Sequence, residues 1–407
     1  MNIPFSPPYI DELVMEEVND SLHSGWITTG PKVKALEQSV AAYCGVEHAL
    51  AVNSATSAMQ LVLHWYGVGK DDEVIVPAYT YCATALAVIH AGAIPVMVDV
   101  NEDFTINANA LYNAINAKTK AIIAVDFAGW PCDYDAIFNV LNDHAVQNRF
   151  VPANEKQQQL GRLLVMADAA HSLGAVYKGR KSGSIADISV FSFHAVKNTT
   201  TAEGGVITLS MPQPFSNKNI YDTLRLWSLN GQTKDAFTKS VAGGWKYDIV
   251  YPGFKINMPD VLAAIGVAQM KKYGTFILPR RKEIFELYDE GFSKYNWAIL
   301  PPFVKDGYAS SYHIYPLRIK NITEELRDKI IENIATAGVS VNVHFIPMPL
   351  LTVFRNMGFH IQDYPVSYSL YKNEITLPLY PQLTDEQCAY IIHTVSSCVE
   401  KYMNNER

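Results

Sequence analysis

The sequence predicts an α/β protein with a large domain, built on a mostly parallel sheet sandwiched by helices, and a smaller C-terminal α+β domain. Three observations predict it. Short apolar runs alternate with helical stretches from Ala49 to Met166, the βαβα order of a parallel sheet buried between helices. A charged helical stretch from about Gln269 to Lys294 then leads into a second set of strands and a helix. The 407 residues are enough for two cored domains. The expected division is an N-terminal arm and helix over 1–30, a large domain over 31–265 and a small domain over 266–407.

In order along the chain, Val14, Val18 and Leu22 recur at four-residue spacing ahead of Gly25, predicting a helix and its stop. A second helix is expected over Val33–Tyr43, ending at Gly45. Strands are expected at Ala49–Val52, Glu73–Pro77, Pro95–Asp99, Ala121–Val125 and Arg162–Met166, with helices near Thr56–Trp65 and Cys82–Ala91. The polar stretch from Ala145 to Gly161 reads as an exposed excursion. In the second domain, strands are expected at Ser311–Ile319 and Ser340–Ile346, around a helix at Thr323–Ala337.

Composition narrows the function classes. Hydrophobic residues at 49% and charged residues at 18% fit a soluble globular chain. A net charge of −7 with no basic run argues against nucleic acid. The first eight residues lack the basic and apolar regions of a secretion signal. Ala83–Val98, the most apolar stretch, is broken by Thr84, His90, Gly92 and Pro95, so no membrane span is expected. Five scattered cysteines without CxxC spacing, and histidines without HExxH spacing, predict reduced thiols in the cytoplasm and no metal.

On a parallel sheet, ligands sit at the C-terminal ends of strands. After Val52 comes Asn53-Ser54-Ala55-Thr56-Ser57 at a helix start, where open backbone N–H groups bind phosphate; a simple Ser/Thr cap is the alternative. After Val76 come Tyr79 and Tyr81, aromatic side chains for packing or for stacking on a planar cofactor. After Met166 comes Asp168, which needs a cation or a polar site if buried; a pyridinium nitrogen answers that need, and a helix cap is the other reading. Lys197 lies between two apolar strand-like runs, where burial depresses its pKa and favours Schiff-base chemistry. Ser192 adds a hydroxyl for phosphate. Phosphate cradle, ring stacker, pyridinium carboxylate and Schiff-base lysine together are the parts pyridoxal 5'-phosphate (PLP) requires.

Phe191-Ser192-Phe193-His194-Ala195-Val196-Lys197 with Glu203-Gly204-Gly205 resembles the DegT/StrS-type sugar-nucleotide aminotransferases, of PLP fold type I. So do Ser24–Pro31, Val341–Pro347 and Leu377–Pro381, and the resemblance runs nearly end to end. It implies that Lys197 holds PLP, that Asp168 partners the ring nitrogen, that Tyr81 stacks on the ring and that Thr56, Ser57 and Ser192 contact the phosphate. His171, in the Asp168 motif, joins the cofactor set. Lys255 and Asn257 stand where the family completes the phosphate site across a homodimer interface, and His194, His313 and His344 are implied on the substrate side. The implied reaction moves an amino group, from glutamate, to the C4 keto group of a UDP- or dTDP-linked 4-keto(-6-deoxy) sugar in bacterial surface-polysaccharide or amino-sugar biosynthesis. The Phe-His-x-x-Lys form of the lysine motif resembles the C4-aminating branch. A PLP-dependent sugar dehydratase, a C3-aminating relative and a non-catalytic regulator are the alternatives. Three departures stand out: Ala55 and Ala202 where the family has Gly, and a longer excursion from Ala145 to Gly161.

Overall fold

A computed structural model describes residues 1–234 and 245–403; residues 235–244 of the expected large domain and 404–407 of the small one lie outside the description. In chain order the first elements are α1 (Glu12–His23), α2 (Pro31–Cys44), β1 (Ala49–Val52), α3 (Ala55–Trp65), β2 (Glu73–Pro77), α4 (Ala83–His90), β3 (Ile94–Val98), α5 (Ala108–Ala114) and β4 (Thr119–Val125). There follow α6 (Tyr134–Asn142), α7 (His144–Gln147), α8 (Glu155–Leu160), β5 (Leu164–Asp168), the short β6 (Val176–Tyr177) and β7 (Arg180–Lys181), β8 (Ile188–Ser192), β9 (Gly205–Leu209) and α9 (Asn217–Ser228).

The seven-stranded sheet has the order β1-β9-β8-β5-β4-β2-β3. Only β9 runs against the rest, pairing antiparallel with both β1 and β8. Successive side chains feed opposite layers. Ile122, Ala124, Val165 and Ala167 enter the core beneath α2 and α6, while Ala121, Ile123, Leu164 and Met166 enter the core beneath α3, α4 and α9. Both faces are covered, which is why the strands read as unbroken apolar runs.

Helix α10 (Asp260–Lys272), a π-turn at Tyr273–Ile277 and helix α11 (Leu278–Phe292) form the bridge to the small sheet. That sheet orders β10 (Ala298–Ile299), β13 (Tyr315–Ile319) and β14 (Glu374–Leu377), all antiparallel, β11 (Val304–Lys305) and β12 (Tyr308–Ala309) intervening in sequence. Its core is built from Ile284, Phe285, Leu317, Ile330, Ile375 and Val395, together with Ile3 from the N-terminal arm. Ile3 reaches it by pairing with Gly338 and Ser340.

Three expectations are corrected. Ser340–Ile346 is not a strand: Asn342 makes one bridge to Thr376, and β14 supplies the third strand. The valine alternation there was misleading, because the His344 N–H goes to the Glu374 carboxyl rather than into a ladder. The strand expected from Ser311 begins only at Tyr315, since Ser311 and His313 donate their N–H groups to Gly129 and Ala128 instead. The stretch from Ala145 to Gly161 is partly anchored: the Asn154 and Gln157 amides both donate to Tyr66 O, the carbonyl just past α3, and Gln157 is buried. Those bonds satisfy a helix-end carbonyl that lacks an intrahelical partner.

Candidate active site

The strand ends of β4, β5 and β8, the start of α3 and the 341–347 segment enclose a cavity of about 460 Å³, within the usual range for a small-molecule site. Thr56, Tyr81, Asp168, His171, Ser192, His194, Lys197 and His344 all line it. Because β9 runs the other way, its N-terminal end also arrives here, bringing Glu203 and Gly204 to the wall.

At one end, Ser54 caps α3 by accepting the Ser57 N–H at 3.1 Å. The cap reading therefore holds for Ser54 and Ser57, while Thr56 faces the cavity and Ser57 does not line it. Gly205 lets β9 approach this turn: a Cβ there would stand 2.5 Å from Ala55 N and 2.5 Å from Ser54 C. Ser192, the last residue of β8, brings its hydroxyl to the same cavity.

Asp168 closes β5 and is buried, at 6% exposure. Thr84 Oγ1 donates to its Oδ2 at 2.8 Å, and Ala170 N–H to its Oδ1 at 3.3 Å. Burial raises its pKa, against the pull of those two donors and of Lys197. Lys197 follows the β8 strand by five residues, and among the described residues its amine forms no hydrogen bond or ion pair. Burial pushes it down to about 8, opposed by Asp168. Burial holds both groups toward their neutral forms, and among the described residues neither has an ion-pair partner. A pyridinium N–H for the carboxylate and an aldehyde for the amine are the chemistry that would relieve them, so the residues fit PLP.

Tyr81 is 59% exposed, its ring 5.9 Å from Phe345. His171 and His313 lie with ring centroids 4.3 Å apart. Burial, first of all, holds both well below the ordinary histidine range, with the Lys197 charge adding to it. Ala128 N–H donates to His171 Nδ1 at 3.2 Å, which leaves the His171 proton on Nε2. Asn198 donates to Ser311 O at 2.7 Å, so its Oδ1 accepts from His313 Nδ1 at 2.8 Å. His313 lines a second, water-sized cavity of about 20 Å³ behind Lys197, with Phe5 and Ser6 of the arm. His194 is exposed, its Nε2 3.5 Å from Glu203 Oε1.

Lys255 and Asn257 are not brought to this cavity. They bond to each other, and Asn257 Nδ2 donates to Thr29 Oγ1 at 2.6 Å beside a separate small groove. Sequence reasoning missed Thr84, Asn198, Phe345, and the pair Glu374 and Thr376. Thr84 carried a signal, as a lone hydroxyl inside an apolar helix one turn after the Tyr79–Tyr81 strand end.

Among the described residues no helix is long and apolar enough to cross a membrane, and no group of three or more His, Cys, Asp and Glu side chains is placed to hold a metal ion.

The DegT/DnrJ/EryC1/StrS aminotransferase family matches residues 8–148 and 151–396. The chain is 35% identical over 403 residues to the spore coat polysaccharide biosynthesis protein SpsC of Bacillus subtilis, covering 98% of this chain and 97% of that one. It superimposes on Spr1654 of Streptococcus pneumoniae, a proposed sugar aminotransferase, in its PMP-form with a TM-score of 0.94 at 45% identity, covering 98% of this chain and 100% of that one. The PLP-form of Spr1654 gives a TM-score of 0.94 at 44% identity, covering 98% and 99%. Helicobacter pylori PseC, an aminotransferase in pseudoaminic acid biosynthesis, gives 0.85 at 26% identity, covering 98% and 100%. With its α/β fold and a cavity whose amine and carboxyl suit PLP, the chain belongs to the DegT/DnrJ/EryC1/StrS aminotransferase family of PLP-dependent enzymes that transfer an amino group to a sugar.

Proposed function

We propose that the enzyme moves an amino group from glutamate to the C4 keto group of a UDP- or dTDP-linked 4-keto(-6-deoxy) sugar, in the cytoplasm, for surface-polysaccharide or amino-sugar biosynthesis. The observation that carries this reading is Lys197: a half-buried amine, depressed to about 8 and without a hydrogen bond or ion pair among the described residues, sharing one cavity with Asp168. The polysaccharide and pseudoaminic acid roles of SpsC and PseC support the sugar class. Phe193-His194-x-x-Lys197 supports the C4 position.

When bound, PLP supplies the electron sink that lets an amino group change carriers. Lys197 Nζ is the amine that would hold it at its aldehyde carbon. The Asp168 carboxylate, oriented by Thr84, keeps the proton on the ring nitrogen. Tyr81 covers the ring, with Phe345 beside it. Thr56, Ser192 and the open N–H groups at the start of α3 take the phosphate. His171, donating from Nε2, serves the cofactor, while His194, His313 and His344 serve the sugar side. Once displaced, Lys197, with its pKa drawn down to about 8, has a far larger neutral fraction than an ordinary lysine and would be the base that carries the proton between the cofactor carbon and sugar C4.

The proposed assembly is a homodimer in which Lys255 and Asn257 complete the partner's phosphate site. Exposed apolar side chains close to these residues in sequence support it. Ile27 is two residues from Thr29, the Asn257 partner, and Val250 is five residues before Lys255; they are 53% and 55% exposed.

The test is a panel of 4-keto and 3-keto UDP- and dTDP-sugars incubated with glutamate and PLP-loaded enzyme, read by mass spectrometry. Amination confined to 4-keto sugars is expected. Preferential amination of 3-keto sugars, or loss of the sugar hydroxyl as water, would overturn the assignment.

A further inference from the structure

His344 lines the cavity with Lys197 and is held at almost every polar atom. Its N–H donates to Glu374 Oε2 at 3.0 Å, and its carbonyl accepts from the Tyr79 hydroxyl at 2.7 Å. Its Nδ1 lies 3.0 Å from Thr376 Oγ1, and Phe5 stacks on the ring at 5.6 Å between centroids. The Thr376 hydroxyl also bonds to Glu374 Oε1. Glu374 and Thr376 are two apart on β14, so they share a face of the strand. Both are buried, and neither lines the cavity. Among the described residues Nε2 is the one polar atom of His344 with no hydrogen bond.

A hydroxyl carries one proton and cannot donate in both directions. If Glu374 is ionised, Thr376 donates to it and accepts from His344 Nδ1–H, which leaves Nε2 bare. If Glu374 is protonated, it donates to Thr376, whose proton turns to His344 Nδ1, and Nε2 carries the hydrogen.

We propose that Glu374 and Thr376 are positioning residues that act on the ligand through His344: the polarity of the carboxyl–hydroxyl–imidazole chain decides whether Nε2 offers the cavity a donor or an acceptor. The ligand is taken from the amino-transfer reading above, on which this proposal rests.

The surrounding charges make the switch accessible. Glu374 is faced by Arg318 on β13, by Arg327 on α12 (Glu324–Thr336), by Tyr79 after β2 and by His344. Burial lifts it to about 8, against Thr376, the His344 N–H and the two arginines. His344 is faced by Lys197, His171 and His313, and burial with the Lys197 charge holds it down to about 3. The imidazole is therefore neutral throughout and carries a single ring proton.

The experiment is 15N NMR of histidine-labelled apoprotein on either side of pH 8, where the pyrrole-type and pyridine-type resonances of His344 report which nitrogen is protonated. The wild type is expected to carry the proton on Nε2 on the acid side and on Nδ1 on the alkaline side. Glu374→Gln is expected to lock it on Nε2 at all pH: the amide oxygen takes the His344 N–H, so the NH2 faces Thr376. Thr376→Ser keeps the switch and Thr376→Val abolishes it. In the holoenzyme, Glu374→Gln changes KM for the keto sugar by roughly three- to tenfold on the alkaline side, the worth of one neutral hydrogen bond, and leaves it unchanged on the acid side. A wild-type tautomer that does not respond across pH 8, or a Glu374→Gln variant that follows the wild type there, overturns the proposal. Because the NMR needs neither PLP nor sugar, failure to aminate any keto sugar counts against the proposed function alone.

Discussion

Thr84 Oγ1, in the first turn of α4, donates a 2.8 Å hydrogen bond to Asp168 Oδ2 at the end of β5. Both residues are buried, and with the Ala170 N–H on Oδ1 the bond holds the carboxyl in one orientation. Thr84→Val keeps the shape and removes the donor. The expected result is a loss of about 2 kcal/mol in urea unfolding, typical of a bond to a charged acceptor, together with weaker PLP binding by fluorescence titration.

Replacing Asp168 separates stability from function. Its folded pKa is raised above 3.8, so the wild-type apoprotein loses stability as pH rises from the unfolded value through the folded one. Asn carries no charge to desolvate. Asp168→Asn apoprotein is therefore expected to gain thermal stability over wild type at pH 7 and not at pH 4. Its kcat should fall about 10²-fold or more, the usual worth of one preorganised electrostatic contact.

Ala202, standing where the family has Gly, adopts φ 65°, a left-handed conformation that costs a non-glycine residue about 1 kcal/mol. Thr200 Oγ1 accepts its N–H at 2.9 Å and helps hold the turn. Ala202→Gly is expected to raise the urea midpoint, the relief of strain being reduced by the extra freedom of glycine in the unfolded chain. Turnover should be unchanged.

Lys255 and Asn257 give a test of shared sites. Lys197→Ala and the double variant Lys255→Ala/Asn257→Ala are each expected to be inactive or strongly impaired. Mixed and exchanged, they should recover activity, because a hybrid dimer contains one complete site. No recovery after verified exchange would place these residues in their own chain's structure only.

Much of this site was legible because a parallel sheet collects its chemistry at strand ends. Asp168 and Ser192 close apolar runs and Lys197 follows one; each motif alone left a plainer reading open, but their order along the strand ends pointed to one cavity, which all three line. Thr84 escaped because its helix reads as apolar filler, and its value lies in a partner 84 residues away. Glu374 and Thr376 escaped for the same reason: a carboxyl and a hydroxyl in a buried strand are explained only by His344 across the fold. The 340–346 segment escaped because Val341 and Val343 alternate like a strand, whereas it makes a single backbone bridge to Thr376 and then gives the His344 N–H to the Glu374 side chain. Local pattern identified the elements, but long-range polar bonds decided what they carry.

The central claim is that Lys197 is the amine that takes the cofactor. Borohydride trapping of PLP on the apoprotein across a pH series, with the labelled peptide mapped by mass spectrometry, tests it most directly. Since only the free amine reacts and burial sets its pKa near 8, labelling is expected on Lys197 alone, rising through about pH 8 and level above it. Label on another lysine, or a rise deferred to the ordinary lysine range, would contradict the account.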